Sequence, residues 1–79
     1  MHLYIFGFLP DGNEDDSLKY QLKIDITLNE RILKLLGHKN LNAMAEGDWT
    51  LTSDQVTQLS GVIRQPLPGD LELVIGVVA

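Results

Sequence analysis

Oxygen-bearing side chains recur at alternate positions in the stretch DGNEDD, residues 11–16, where Asp11, Asn13 and Asp15 could offer ligands to a cation. Carboxylate and amide oxygens are the ligands that calcium prefers. The stretch lacks the flanking helix and the distant bidentate glutamate of an EF-hand loop, and strand-like sequence lies on either side of it. We therefore expect a hairpin loop with no metal or other cofactor, and a calcium site stays a testable alternative.

The other residues that could support catalysis are few and scattered. His2 and His38 do not have the spacing of a metal site. Ser17, Ser53 and Ser60 lack the Gly-x-Ser-x-Gly context of a hydrolase nucleophile, and the glycines form no phosphate-binding pattern. The sequence therefore favours a protein that is not an enzyme, although a deep pocket around a strongly perturbed carboxylate would reopen that question.

Acidic residues are concentrated in two segments of this 79-residue chain, whose net charge is −5. The first 16 residues contain four acidic residues and no lysine or arginine, and AEGDW at 45–49 places Trp49 close to two more. The first segment is either a solvated loop or one edge of an acidic docking surface. Trp49 fills the core or anchors an interface, and both can hold if only one edge of its ring is exposed. On the docking hypothesis, the partner-binding residues are Asp11, Glu14, Asp15, Asp16, Glu46, Asp48 and Trp49.

The charge balance also limits the classes of partner. Nucleic acid and anionic membranes attract basic surfaces, so we expect this chain to bind neither. An acidic surface favours a basic protein partner, although net charge also serves solubility. We expect a cytoplasmic location, because no run approaches the roughly 18 to 20 apolar residues of a membrane span, no signal-peptide pattern opens the chain, and cysteine is absent.

Three segments have the sequence pattern of β-strands. Residues 2–9 are rich in aromatic and aliphatic side chains, and residues 18–26 alternate strictly between apolar and polar. Asp11 and Gly12 form a turn signal between them, which predicts an antiparallel hairpin. Residues 71–79 are almost entirely apolar on both faces and predict a buried central strand.

A first amphipathic helix is predicted over residues 28–36. Thr27 and Glu30 have the spacing of a capping box, and apolar residues follow at helical intervals. Gly37 is expected to end this helix in a left-handed conformation.

A second, shorter helix is predicted to begin at the capping-box pattern of Thr52 and Gln55. It ends before the turn sequence QPLPGD at 65–70. Residues 37–51, between the two helices, show no sustained period and predict a loop or a short helical turn.

The order strand, strand, helix, helix, strand (ββααβ) predicts a single α+β domain over residues 1–79. We expect a three-stranded antiparallel sheet with two short helices on one face. The C-terminal strand is expected beside the first strand, and the second strand, with its polar face, at the edge.

The segments ILKLLG at 32–37 and EGDWTL at 46–51, together with the chain order around them, resemble the cloacin-type bacteriocin immunity family. The resemblance implies a cytoplasmic protein with an antiparallel sheet and little helix that neutralises a basic nuclease toxin domain through an acidic surface. This chain departs from that pattern in having only five aromatic residues and two predicted helices. The prediction is therefore a toxin-neutralising immunity protein. The alternative is a small structural subunit that self-associates as a homodimer through the sheet face that its helices leave uncovered.

Overall fold

A computed structural model of the chain describes residues 2–10 and 17–78. This part forms β-strands, α-helices and one 3₁₀ turn. The strands are β1 (His2–Phe8), β2 (Tyr20–Lys23), β3 (Trp49–Thr50) and β4 (Glu72–Val78), and the helices are α1 (Asn29–Leu36), α2 (Leu41–Met44) and α3 (Ser53–Ile63). The strands make one antiparallel sheet in the order β2-β1-β4-β3.

The α+β class is confirmed, but the predicted ββααβ order with three strands and two helices is wrong in detail. The additional strand, β3, pairs with β4 through Trp49 opposite Ile75, and the Leu51 N–H donates to the Leu73 carbonyl at 2.9 Å. The additional helix, α2, is a single turn that the Asn40 side chain caps. α2 is the short helical turn that was one of the two alternatives predicted for residues 37–51. Two residues cannot display an alternation, so the sequence pattern contained no signal for β3.

The predicted neighbours of β1 are confirmed. Seven consecutive residue pairs join β1 to β4, and β2 lies at the edge on the other side of β1. β2 is shorter than the predicted 18–26. The chain leaves the sheet after Ile24 because the Asp25 side chain accepts a hydrogen bond from the Thr27 N–H and starts the 3₁₀ turn Ile26–Leu28.

Helix α1 lies within one residue of its predicted range, but the capping box predicted for Thr27 and Glu30 is wrong. The Asp25 carboxylate accepts hydrogen bonds from both the backbone N–H and the hydroxyl of Thr27, each at 2.9 Å. The N-cap of α1 is Leu28, with no side-chain hydrogen bond. Gly37 ends the helix with φ 79° and ψ 23°, the left-handed conformation that its position predicted.

The capping box of α3 is confirmed. The Thr52 N–H donates to Oε1 of Gln55 at 2.9 Å, and the Gln55 N–H donates to Oγ1 of Thr52 at 3.2 Å. This box starts α3 shortly after β3, so the chain turns directly from the edge of the sheet into the helical layer.

All three helices contribute to one hydrophobic core on one face of the sheet. The buried residues are Leu3, Ile5, Ile24, Ile32, Leu33, Met44, Leu51, Leu59, Leu73 and Ile75. The two central strands, β1 and β4, therefore direct alternate side chains into the core and the others to the opposite face of the sheet. Among residues 2–10 and 17–78, no helix is long and apolar enough to cross a membrane.

Candidate protein-binding surfaces

The sheet face opposite the helices, here called the open face, has apolar and charged side chains in an ordered arrangement. Leu3 and Ile5 are fully buried in the core. Because side chains alternate along a strand, Tyr4 and Phe6 project from the other side of β1. The open face consists of His2, Tyr4, Phe6 and Phe8 on β1, Gln21 and Lys23 on β2, Glu72, Val74, Gly76 and Val78 on β4, and Thr50 on β3.

Two aromatic rings lie at the centre of the open face. The ring centroids of Tyr4 and Phe6 are 5.8 Å apart, and the ring planes differ by only 9°. Both side chains remain partly exposed, and neither belongs to the core cluster or packs against it. The stack is therefore a rigid apolar ridge that solvent reaches.

Asp48 lies on the open face beside this ridge. A Cβ atom added to Gly76 would collide with Oδ1 of Asp48, which places the Asp48 carboxylate directly over the Gly76 backbone. Gly76 is paired with Tyr4, and Tyr4 is paired with Lys23. A row of three strand positions thus runs from a lysine, through an aromatic ring, to a carboxylate.

Trp49 points the other way, to the helical side of the sheet edge. Its indole Nε1–H donates to the Met44 carbonyl at 2.8 Å, and its ring centroid lies 4.7 Å from that of His38. The Trp49 side chain is not a member of the core cluster and keeps 39% of its surface exposed. The interpretation that it fills the core is therefore wrong, and it is accessible, as an interface anchor must be.

The structure separates the predicted partner-binding residues. Glu46 and Asp48 are both exposed near β3, but Asp48 and Trp49 are on opposite faces of the sheet. Asp11, Glu14, Asp15 and Asp16, together with the alternative calcium site there, lie outside the described residues.

The strand register gives the distance between Asp48 and the end of β1 that precedes the acidic segment 11–16. The segment 11–16 follows the end of β1 at which Phe8 pairs with Glu72, whereas Asp48 covers Gly76. Those two positions are four residues apart along β4, which corresponds to about 13 Å. A partner that touched both the strand end before the acidic segment and Asp48 would therefore extend along the sheet.

The described residues outside these surfaces show little that resembles a catalytic site. Residues 2–10 and 17–78 contain no group of three or more His, Asp or Glu side chains placed to hold a metal ion. Hydrogen bonds from the backbone N–H and the hydroxyl of Thr27 lower the pKa of the Asp25 carboxyl, which is an exposed turn residue. The expectation that the chain is not an enzyme stays a prediction.

Sequence reasoning missed an apolar groove between α3 and the segment before β4. It has a volume of about 570 Å³, and its lining includes Val56, Ser60, Pro66, Leu67 and Leu71. The two prolines of QPLPGD indicated only a turn, because the sequence does not show that this turn folds back over α3.

Comparison of the chain with models of protein families, with curated proteins and with solved structures finds no match. The resemblance to the cloacin-type immunity family therefore rests on the short segments 32–37 and 46–51 and the chain order around them.

Proposed function

We propose that this chain is a non-enzymatic, cytoplasmic protein-binding domain of the immunity type, which neutralises a basic toxin domain, with a nuclease as the expected toxin. The observation that carries the proposal is Trp49, which is 39% exposed at the sheet edge, close in sequence to the exposed residues Glu46 and Asp48. An accessible aromatic residue with charged neighbours is typical of the anchor residues that supply most of the affinity of a protein interface.

The contacts of Trp49 support this role because they fix the ring before a partner arrives. The hydrogen bond to the Met44 carbonyl and the contact with His38 hold the indole in one orientation. A side chain that is already ordered loses little conformational entropy on binding, so more of its contact energy contributes to affinity.

The charge of the chain supports a basic partner. A net charge of −5 and the exposed carboxylates of Glu46 and Asp48 near β3 would attract a positively charged domain and accelerate its association. Asp11, Glu14, Asp15 and Asp16 add to the same attraction in this proposal. The resemblance of the segments 32–37 and 46–51 to an immunity family favours a toxin as that partner.

Binding kinetics with the protein encoded by the gene immediately upstream test the proposal. Trp49→Ala is expected to weaken binding at least about tenfold, mainly through faster dissociation. Glu46→Lys is expected to slow association several-fold at low salt. Asp70→Lys makes a charge change of the same size in an exposed turn before β4, and it is the matched control. The proposal fails if the adjacent product is not bound, or if all three variants behave alike.

The open face favours a second candidate function, that of a small interaction subunit which self-associates. The stacked rings of Tyr4 and Phe6 expose apolar surface on a face that the core cluster does not use. Covering this surface with a second copy would remove it from water, which stabilises association.

A further inference from the structure

We infer that the open face is a homodimer interface whose two-fold axis runs parallel to the strands, so that Lys23 of each copy meets Asp48 of the other. This inference rests on the second candidate function and adds its contact geometry. It follows from the placement of Lys23 and Asp48 on opposite sides of the aromatic ridge.

The β2 side of the open face contains a lysine, and the exposed carboxylate of Asp25 follows it in the turn after the strand. Lys23 is exposed and opposite Tyr4, and the alternation along β2 places Gln21 next to it, opposite Phe6. Tyr20 and Leu22 pack against the core instead, which confirms that Lys23 belongs to the open face.

The acidic side of the open face lies along β4. Asp48 covers Gly76, the residue paired with Tyr4, and Glu72 is paired with Phe8 at the other end of the strand. Neither Lys23 nor Asp48 has a side-chain hydrogen bond to another described residue. Their positions are two strand spacings apart, about 10 Å, with the aromatic ridge between them.

The direction of the two-fold axis decides which charges meet when two such faces stack. A rotation about an axis parallel to the strands exchanges the two sides of the sheet and keeps the level along the strands. Lys23 of one copy then faces Asp48 of the other, twice in the dimer. A two-fold axis perpendicular to the strands would instead stack β2 of one copy on β2 of the other and β4 on β4. Lys23 of each copy would then face the partner's β2, and Asp48 would face the partner's β4. Charge complementarity therefore selects the parallel axis.

The aromatic ridge fits the same arrangement. Tyr4 lies between Lys23 and Asp48, so an axis midway between the two charges passes over β1 and brings Tyr4 and Phe6 against their own images. Stacked sheets pack about 10 Å apart with strand directions within about 30° of each other, a spacing that partly exposed aromatic rings can fill.

The size of the open face sets the expected strength of the dimer. Three strands of at most seven residues give a face about 15 Å wide and about 23 Å long. That footprint is well below the roughly 800 Å² that each partner buries in a standard interface. The dimer is therefore expected to be weak and to dissociate on dilution.

Sedimentation equilibrium of the full chain from about 5 to about 500 μM tests the inference through two charge reversals. Lys23→Glu and Asp48→Lys each put like charges together twice in the homodimer, and each is expected to weaken self-association at least about tenfold. An equimolar mixture of the two variants restores both opposite-charge contacts. The glutamate introduced at position 23 of one copy faces the lysine introduced at position 48 of the other, and the unchanged Asp48 faces the unchanged Lys23. The mixture is therefore expected to dimerise nearly as well as the original chain.

Lys39→Glu reverses an exposed charge on the helical side of the sheet, and it should leave self-association within about twofold of the original chain. A chain that stays monomeric throughout the concentration range overturns both the inference and the second candidate function, whether or not the variants fold. Self-association that survives both reversals shows that another surface is used. Weakening by both reversals without recovery in the mixture overturns the parallel axis.

Discussion

Replacement of Gly7 by alanine tests the packing of β1 against its neighbours. A Cβ atom at this position would lie 2.9 Å from Cβ of Tyr20, 3.0 Å from Cδ1 of Leu71 and 3.1 Å from Cδ2 of Leu73. The leucine methyl groups can move, but Cβ of Tyr20 is attached to the backbone of β2, directly opposite Gly7. Alanine at position 7 therefore requires a shift of the edge strand.

The change in the free energy of unfolding caused by Gly7→Ala is the sum of two opposing effects. Overpacking of a tightly packed core site costs about 1–3 kcal/mol. The backbone of Gly7 is not in the left-handed region, so alanine can adopt it without strain. Alanine also restricts the unfolded chain, which stabilises the folded protein by about 0.4–1 kcal/mol. We expect a net loss of about 1–2 kcal/mol in the free energy of unfolding, which is large for a domain whose total stability is of the order of 4–12 kcal/mol.

Urea denaturation followed by circular dichroism measures this loss as a lower midpoint at an unchanged m-value. Gly61→Ala is the matched control, because it makes the same chemical change within α3, where an added Cβ meets nothing within 4 Å. That control is expected to gain up to about 1 kcal/mol from helix propensity. Equal effects of the two substitutions, or a stabilised Gly7→Ala variant, would refute the packing of β1 against β2 described above.

Three further substitutions test local features of the fold. Thr52→Ala removes one half of the capping box with Gln55 and is expected to cost about 1 kcal/mol in urea denaturation. Tyr20→Phe removes a buried hydroxyl that has no hydrogen-bond partner among the described residues, so the free energy of unfolding should stay the same or rise. Hydrogen bonds from Thr27 lower the pKa of Asp25, so its stabilising contribution is full above the ordinary aspartate pKa and disappears as the pH falls through the lowered value. Asp25→Asn should therefore be less stable than the original chain at neutral pH, and this loss should become smaller as the pH falls through the lowered pKa.

The parts of the fold that the sequence predicted are those whose pattern repeats over several residues. The alternation of residues 18–26 placed β2 at the sheet edge, and the apolar run before Ala79 gave the central strand β4. The capping boxes show where local pattern is insufficient. Thr27 and Thr52 have equally good partners three residues later, yet only Thr52 forms the box, because Asp25 competes for Thr27.

The candidate surfaces were predictable in composition but not in geometry. The sequence indicated that Asp48 and Trp49 lie at an acidic, aromatic site. It could not assign them to opposite faces, because β3 has two residues and its register depends on hydrogen bonds to β4. The contact between Asp48 and Gly76 arises from residues 28 positions apart in the chain, so it emerges only from the tertiary fold.

The rate of association with the product of the gene immediately upstream, measured as a function of ionic strength, tests most directly the claim that this chain is an acidic protein-binding domain. We expect a rate constant above roughly 10⁷ M⁻¹ s⁻¹ at low salt that falls steeply as salt is added, with dissociation much less affected. Absence of binding, or an association rate that does not depend on salt, would contradict the account.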